Sequence, residues 1–171
     1  YSGMELSQEQ YRELVQNAQK ISARMRAVRI VSASGVSRKE LESRLVQKGE
    51  NPGQAKQAVQ WLEELHLVDD AKLAEQIVHS CISKGYGLAR AKQMLYEKRV
   101  PKEYWDAALA DYPEQTEKIA AFLKMRIDDP TNQREVKRAV DALLRRGHSY
   151  HAIREALNEL SFDSEDLPED E

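Results

Sequence analysis

The densest group of side chains that could bind an anion lies between residues 84 and 102. It contains six basic residues, two tyrosines and one acid, namely Lys84, Arg90, Lys92, Lys98, Arg99 and Lys102 with Tyr86, Tyr96 and Glu97 among them. Lysine and arginine neutralise phosphates, and tyrosine rings stack on bases or fill pockets in a protein partner. The group is typical of a surface for nucleic acid or an acidic protein, and equally of a solvated helix face with two half-buried tyrosines.

Two further basic groups lie outside this segment. One contains Arg134, Lys137, Arg138, Arg145, Arg146 and His148, and the other contains Lys20, Arg24, Arg26 and Arg29, with Arg38, Lys39 and Arg44 nearby. Spacings of three and four residues place Arg134, Lys137 and Arg138 on one helical face. We predict a partner-binding set of Lys84, Tyr86, Arg90, Lys92, Lys98, Arg99, Arg134, Lys137, Arg138 and Arg145.

Residue types that carry catalysis do not combine into a recognisable site. His148 and His151 have no nearby cysteine or further histidine to complete a zinc set. Cys81 lies on an apolar helix face, which predicts a small buried hydrophobic residue. The pairs Asp69-Asp70 and Asp128-Asp129 resemble helix caps and turns, and Gly85-Tyr86-Gly87 lacks the spacing of a phosphate loop. We therefore expect no catalytic residue, no metal and no cofactor.

An internal repeat indicates the elements that carry these residues. Residues 37–49, 87–99 and 135–147 align without gaps, so that Leu45, Leu95 and Leu143 coincide. The alignment continues into a following helix with an apolar stripe at the spacing of a core-facing helix, aligning Ala55, Trp105 and Ile153, then Ala58, Ala108 and Ala156, then Leu62, Tyr112 and Leu160. At its stripe position Trp105 is predicted to lie in the core, and Trp61, one position off the stripe, between units or against a partner.

A third helix precedes each of these pairs. These leading helices are predicted over residues 21–34, 71–83 and 114–127, with Met25, Val28 and Val31 facing inward in the first. Asp69 or Asp70 is a suitable cap for the second leading helix, and Ser37 is expected to form a capping box with Glu40. Gly49 and Gly147 stand where helices should end.

The pattern predicts an all-α protein of three tandem three-helix repeats that form an elongated curved rod. The expected boundaries are an N-terminal extension over 1–17, repeats over 18–68, 69–112 and 113–161, and an acidic C-terminal tail over 162–171. A charged fraction of 32% beside 41% hydrophobic residues suits a thin helical protein. The tail could be solvated or fold back onto the basic surface.

The single cysteine and the lack of any apolar run of membrane-spanning length or of a signal peptide predict a cytoplasmic protein with no membrane contact. We expect a monomer.

Several segments resemble the RecX family of RecA regulators. They are residues 67–74 (LVDDAKLA), 84–87 (KGYG), 90–95 (RAKQML), 98–100 (KRV) and 143–150 (LLRRGHSY), followed by Ile153. The resemblance extends over about residues 27–160 and is most specific in the middle repeat. The chain departs from the family pattern at Ala91, where Ile or Leu is frequent, and at Arg99, where Gly is frequent.

The resemblance implies a non-catalytic protein that binds RecA and its filament on DNA and restrains recombination and DNA repair by the recombinase. Besides RecA, weak direct binding to DNA is a further expectation for such a regulator. The alternative is a nucleic-acid-binding module in which each repeat acts as a helix-turn-helix. A helical adaptor for another partner is a further alternative.

Overall fold

The computed structural model describes the backbone of residues 6–165 and the side chains as far as residue 160. All regular structure in this range is helical. The helices are α1 Gln8–Ala33, α2 Arg38–Gln47, α3 Pro52–Glu64, α4 Asp70–Ser83, α5 Leu88–Glu97, a 3-10 helix Lys102–Tyr104, α6 Trp105–Leu109, α7 Thr116–Arg126, α8 Gln133–Arg145 and α9 Tyr150–Glu165. The prediction of an all-α protein is confirmed.

The chain forms two compact units. The first runs as far as Leu73 and includes Lys98–Tyr104, and the second comprises Ala74–Glu97 and the chain from Trp105 onward. Helix α4 therefore begins in one unit and continues into the other. The boundaries between three repeats stay a prediction.

The repeated apolar positions form the cores of both units. Leu41 and Leu45 of α2, Leu95 of α5 and Leu143 of α8 are each at most 1% exposed. In the first unit they pack against Ala55, Ala58, Val59 and Leu62 of α3, and in the second Leu143 packs with Ile119, Leu123, Ile153 and Ala156. The aligned leucines are thus buried in all three copies, and the following stripe is buried at Ala55, Ala58 and Leu62 in the first copy and at Ile153 and Ala156 in the third.

The middle copy of the third helix is reduced. A 3-10 turn precedes the five-residue helix α6, and the stripe residues Trp105, Ala108 and Tyr112 are half-buried rather than enclosed. Trp105 is thus less buried than predicted. Trp61 packs against the core of the first unit, with the Arg24 guanidinium 4.4 Å from its ring centroid.

The first helix differs from the prediction in its start and its buried face. It begins at Gln8 because Ser7 and Gln10 form a reciprocal capping box. The expected extension is therefore helical from Gln8 onward. The prediction that Met25 and Val28 face the core is wrong, because they are 53% and 40% exposed, whereas Ala23 and Ala27 are fully buried. These small side chains let α1 approach α2 and α3 closely.

Other caps follow the sequence with one exception. The Ser37 hydroxyl accepts from the backbone N–H of Glu40, but the Glu40 carboxylate pairs with Arg44 at 2.7 Å instead of completing the predicted capping box. The Asp69 carboxylate accepts from the N–H of Lys72 and caps α4. Helix α9 extends to Glu165, so the predicted acidic tail begins inside a helix, and residues 166–171 lie outside the described range.

A buried carboxylate ties α1 to the turn after α2. Glu50 is 8% exposed and accepts hydrogen bonds from the Arg26 guanidinium and the Ser22 hydroxyl, both at 2.8 Å. Burial alone would raise the pKa of Glu50, but the two hydrogen bonds outweigh it and lower the pKa below the ordinary value of 4.5. Ionisation of the Glu50 carboxyl therefore stabilises the folded state.

We expect this stabilisation to disappear in acid. A lowered pKa in the folded state stabilises the fold above the ordinary pKa and is lost as the pH falls through the folded value. The free energies of unfolding of the wild type and of Glu50→Gln, measured by denaturant titration, should differ most near neutral pH and converge below pH 4.5. A difference that does not change with pH would contradict this assignment.

The end of α8 lies directly against the start of α5. The N–H of Gly87 donates to the carbonyl of Arg146 at 2.9 Å, and the N–H of Ala89 donates to that of Gly147 at 3.3 Å. Gly147 has a φ of 91°, and a Cβ at this position would overlap the backbone of Arg90, whose Cα would be 2.8 Å away. A residue without a side chain is therefore required here.

Two equivalent glycines allow the contact to be separated from the backbone conformation. Gly49 has a φ of 94°, and a Cβ there would meet nothing within 4 Å. We expect Gly49→Ala to cost about 1 kcal/mol from the left-handed conformation alone. Gly147→Ala should cost about 3 kcal/mol, because overlap with Arg90 adds to the same strain. Chemical denaturation followed by circular dichroism measures the free energy of unfolding of both variants. Equal losses of stability would show that the contact between α8 and α5 adjusts to a side chain at little cost.

Candidate partner-binding surface

The turn after α4 fixes the position of Tyr86. Gly85 has a φ of 74°, its N–H donates to the carbonyl of Ile82, and the N–H of Tyr86 donates to that of Cys81. This closing pattern ends a helix and turns the chain sharply. The Tyr112 hydroxyl then donates to the carbonyl of Tyr86 at 2.6 Å, and burial raises the pKa of Tyr112 to about 12, so this donor keeps its proton.

Three cations surround the half-buried Tyr86 ring. The Arg146 guanidinium lies 5.2 Å from the ring centroid, and Arg90 and Lys84 lie 5.9 Å from it. Arg146 also lies 5.6 Å from the centroid of Phe122, and Arg126 lies 5.0 Å from the same ring. We call these six residues, Lys84, Tyr86, Arg90, Phe122, Arg126 and Arg146, the cation–aromatic cluster.

The backbone around the cluster is held by donors from α7 and from the end of α8. One Arg146 nitrogen donates to the carbonyl of Lys84 at 2.8 Å. The Lys118 ammonium and the Gln115 amide donate to the carbonyl of Ile82 at 2.9 and 3.2 Å. The last carbonyls of α4 are thereby satisfied by side chains that follow much later in the chain. These bonds and the ring contacts order Arg146 before any partner arrives, which lowers the entropy cost of binding.

The cluster has an excess of positive charge. Arg90 has a carboxylate at 3.9 Å, that of the half-exposed Glu97. Among the described residues, Lys84, Arg126 and Arg146 have no carboxylate within salt-bridge distance. Four cations thus share one distant acid, and such a surface attracts an anionic partner.

The predicted residues of α8 extend this surface. Arg134 and Arg138 line a shallow cleft with Phe122 and Arg126, and all three arginines are exposed. Arg145 is seven residues beyond Arg138 and shares its helical face. Lys137 is exposed beside that face. In the same cleft the Glu135 carboxylate accepts from the backbone N–H of Asp128 and so is already engaged.

The basic segment from residue 84 to residue 102 is not one patch. Lys92 lines a different groove, with Glu114, His151 and Glu155, because it follows Arg90 by two positions in α5 and faces another side. Lys98 and Arg99 belong to the first compact unit. Arg99 follows α5 and has a φ of 55°. Its backbone is therefore left-handed, as is that of Gly49 after α2 and of Gly147 after α8.

The sequence-based prediction of the site did not include Phe122 and Arg126. The structure shows Arg126 exposed and stacked on Phe122, one helical turn away. Their spacing of four residues was the available signal. Arg146 was recognised as basic, but its contact with Tyr86 depends on a backbone approach that no short pattern reveals.

Cys81 has the surroundings of a structural residue. Cys81 is fully buried with its sulfur 3.4 Å from that of Met94, as expected for a hydrophobic residue. Among the side chains of residues 6–160, no group of three or more His, Cys, Asp or Glu could hold a metal ion. In the same range no helix is both long and apolar enough to cross a membrane.

Comparison with known proteins identifies the family. The family model described as RecX, second three-helix domain, matches residues 69–109. The regulatory protein RecX of Vibrio parahaemolyticus is 30% identical over 149 residues, which cover 85% of this chain and 94% of that protein. The regulatory protein RecX of Xanthomonas citri is 32% identical over 133 residues, which cover 76% of this chain and 80% of that protein. The chain belongs to the RecX family.

Solved RecX structures share its fold. The crystal structure of RecX from Lactobacillus salivarius superposes with a TM-score of 0.73 at 22% identity, covering 85% of this chain and 99% of that one. A second RecX crystal structure also gives 0.73, over 91% and 81% of the two chains. As a RecX-family member the chain is a regulatory protein and not an enzyme.

A buried histidine lies beneath the cluster. His148 is 7% exposed, and its Nε2 donates to the carbonyl of Gly85 at 2.9 Å. Burial lowers the pKa of His148, the positive charge of Arg146 lowers it further, and the hydrogen bond to Gly85 opposes them without reversing the net decrease. The ring is therefore neutral at neutral pH.

We expect this histidine to couple stability to pH. Because the pKa is depressed in the folded state, its contribution is present above the ordinary value of 6.5 and is lost as the pH falls through the folded value. NMR titration should show the His148 ring protonating below pH 6.5. In His148→Gln the free energy of unfolding should change less with pH on the acid side. A His148 ring that titrates at or above 6.5 would contradict the buried assignment.

Proposed function

We propose that this chain binds the RecA recombinase assembled on single-stranded DNA and inhibits its activity, thereby modulating homologous recombination and DNA repair. Membership of a regulatory family supports a binding role, and the cation–aromatic cluster supplies the surface. The observation that carries the proposal is the set of four cations around two rings, which have one distant acid among the described residues.

The chemistry of the cluster suits a filament. Arginine and tyrosine are enriched among the residues that dominate binding energy, and arginines ordered by aromatic rings lose little freedom on binding. Acidic side chains of the recombinase and phosphates of the bound DNA both offer anions to these cations. If the predicted repeats span neighbouring subunits of the filament, avidity favours the assembled filament over the free recombinase. We place this activity in the cytoplasm.

ATP hydrolysis by RecA on single-stranded DNA measures the proposed inhibition. The wild-type chain should lower the rate in a dose-dependent manner. The double variant Lys84→Glu and Arg126→Glu reverses two exposed cations of the cluster and leaves in place Arg146, which bonds to the backbone. We expect this variant to need at least about tenfold more protein for half-inhibition, since oppositely charged contacts become repulsive.

A matched variant controls for the change in net charge. Lys56→Glu with Lys72→Glu makes the same change at exposed positions of α3 and α4 outside the cluster. Its potency should stay within about twofold of the wild type, because exposed charges away from the contact are screened by salt. Equal losses in the two double variants, with helicity intact, would reject the cluster as the contact surface.

Direct binding to nucleic acid is the second candidate function. Rings interleaved with cations and an arginine-lined cleft also suit single-stranded DNA. Titration onto single- and double-stranded DNA without RecA separates the two. Tight binding with a steep dependence on salt would favour the nucleic-acid module, whereas weak binding beside strong inhibition of RecA favours the regulator.

A further inference from the structure

Helix α1 carries a second apolar face that has no partner within the described residues. From Leu6 to Ala18 every residue is exposed, so about three turns of α1 lie outside the core of the first unit. An isolated helix of that length is marginal in water. The fold therefore leaves a helical segment whose stability calls for a further contact.

The exposed apolar residues of α1 follow a heptad. Tyr11, Leu14, Ala18, Ile21, Met25 and Val28 alternate spacings of three and four, and the five large ones are between 40% and 62% exposed. This spacing forms the a and d seam of a coiled coil. The seam runs along the side of α1 opposite to Ala23 and Ala27, which are buried against α2 and α3.

We propose that a second copy of this chain covers this seam, so that two α1 helices form an antiparallel coiled coil. The seam is complementary to itself when the helices run in opposite directions. Tyr11 then lies opposite Val28 of the second copy, Leu14 opposite Met25, and Ala18 opposite Ile21. The small Ala18 leaves a shallow depression between Ile21 and Met25, and the Ile21 side chain of the second copy fits this hole.

The charges beside the seam select the antiparallel orientation. In a parallel pair the flanking position of Arg24 would lie next to that of Arg29 in the other helix, and this repulsion would occur twice. In the antiparallel pair Arg24 lies beside Asn17 and Arg29 beside Gln8, so no like charges meet. Both the apolar layers and the flanking charges therefore suit a second copy.

The sequence-based expectation of a monomer did not include this face, because Met25 and Val28 were assigned to the core. Their exposure is what makes the seam continuous from Tyr11 to Val28. The cation–aromatic cluster lies in the other compact unit, so this dimer is independent of the proposed function.

Sedimentation of the full chain tests the proposal. The apparent mass should rise from 19.6 kDa toward twice that value between micromolar and sub-millimolar concentration. Leu14→Glu and Ile21→Glu should each raise the dissociation constant at least about tenfold, because a charge enters an apolar layer. Gln16→Glu places the same charge on an exposed position of α1 off the seam and should leave dimerisation unchanged.

Disulfide trapping tests the orientation, since the native Cys81 is fully buried. Tyr11→Cys protein mixed with Val28→Cys protein should form a mixed disulfide dimer. Tyr11→Cys alone should not, because the two copies of this position lie about 25 Å apart in the antiparallel pair. Efficient dimers of Tyr11→Cys alone would overturn the antiparallel arrangement. A chain that stays monomeric at these concentrations would overturn the proposal. If Leu14→Glu then impaired inhibition of RecA, the seam would be assigned to another partner instead of a second copy.

Discussion

The second compact unit depends on a contact between two pieces of backbone. Because Gly147 has no side chain, the end of α8 reaches the first turn of α5 closely enough for Gly87 and Ala89 to donate hydrogen bonds to its carbonyls. Ordinary helix packing through side chains would hold these elements 8–10 Å apart. At Gly147 direct backbone hydrogen bonds replace that spacing, and they fix the end of α8 against the start of α5.

The candidate surface follows from this placement. The residues on either side of Gly147 are Arg146, which reaches the Tyr86 ring, and His148, which binds the carbonyl of Gly85. Neither contact would form if the helices were held apart by side chains. The cations are thus ordered by the packing of the scaffold, which suits a regulator whose task is recognition.

The sequence predicted the features that depend on local rules. Helix periodicity and caps such as Ser37 and Asp69 depend on neighbours within a few residues, so they could be inferred from spacing alone. The buried face of α1 could not, because Ala23 and Met25 both fit a helical stripe and the choice depends on how close α3 comes. The cluster was found in part: Lys84, Tyr86 and Arg90 are near in sequence, whereas Arg126 and Arg146 join them through tertiary packing.

The side chains that close the end of α4 carry a consequence for how the protein is made. The carbonyls of Ile82 and Lys84 are satisfied by Lys118 and Arg146, which emerge from the ribosome many residues later. Until then the Lys84 carbonyl lacks its bond from Arg146, and the Tyr86 ring lacks its contact with the same guanidinium. Although the sequence is repetitive, the cation–aromatic cluster cannot form until α8 and the residue after it have been synthesised.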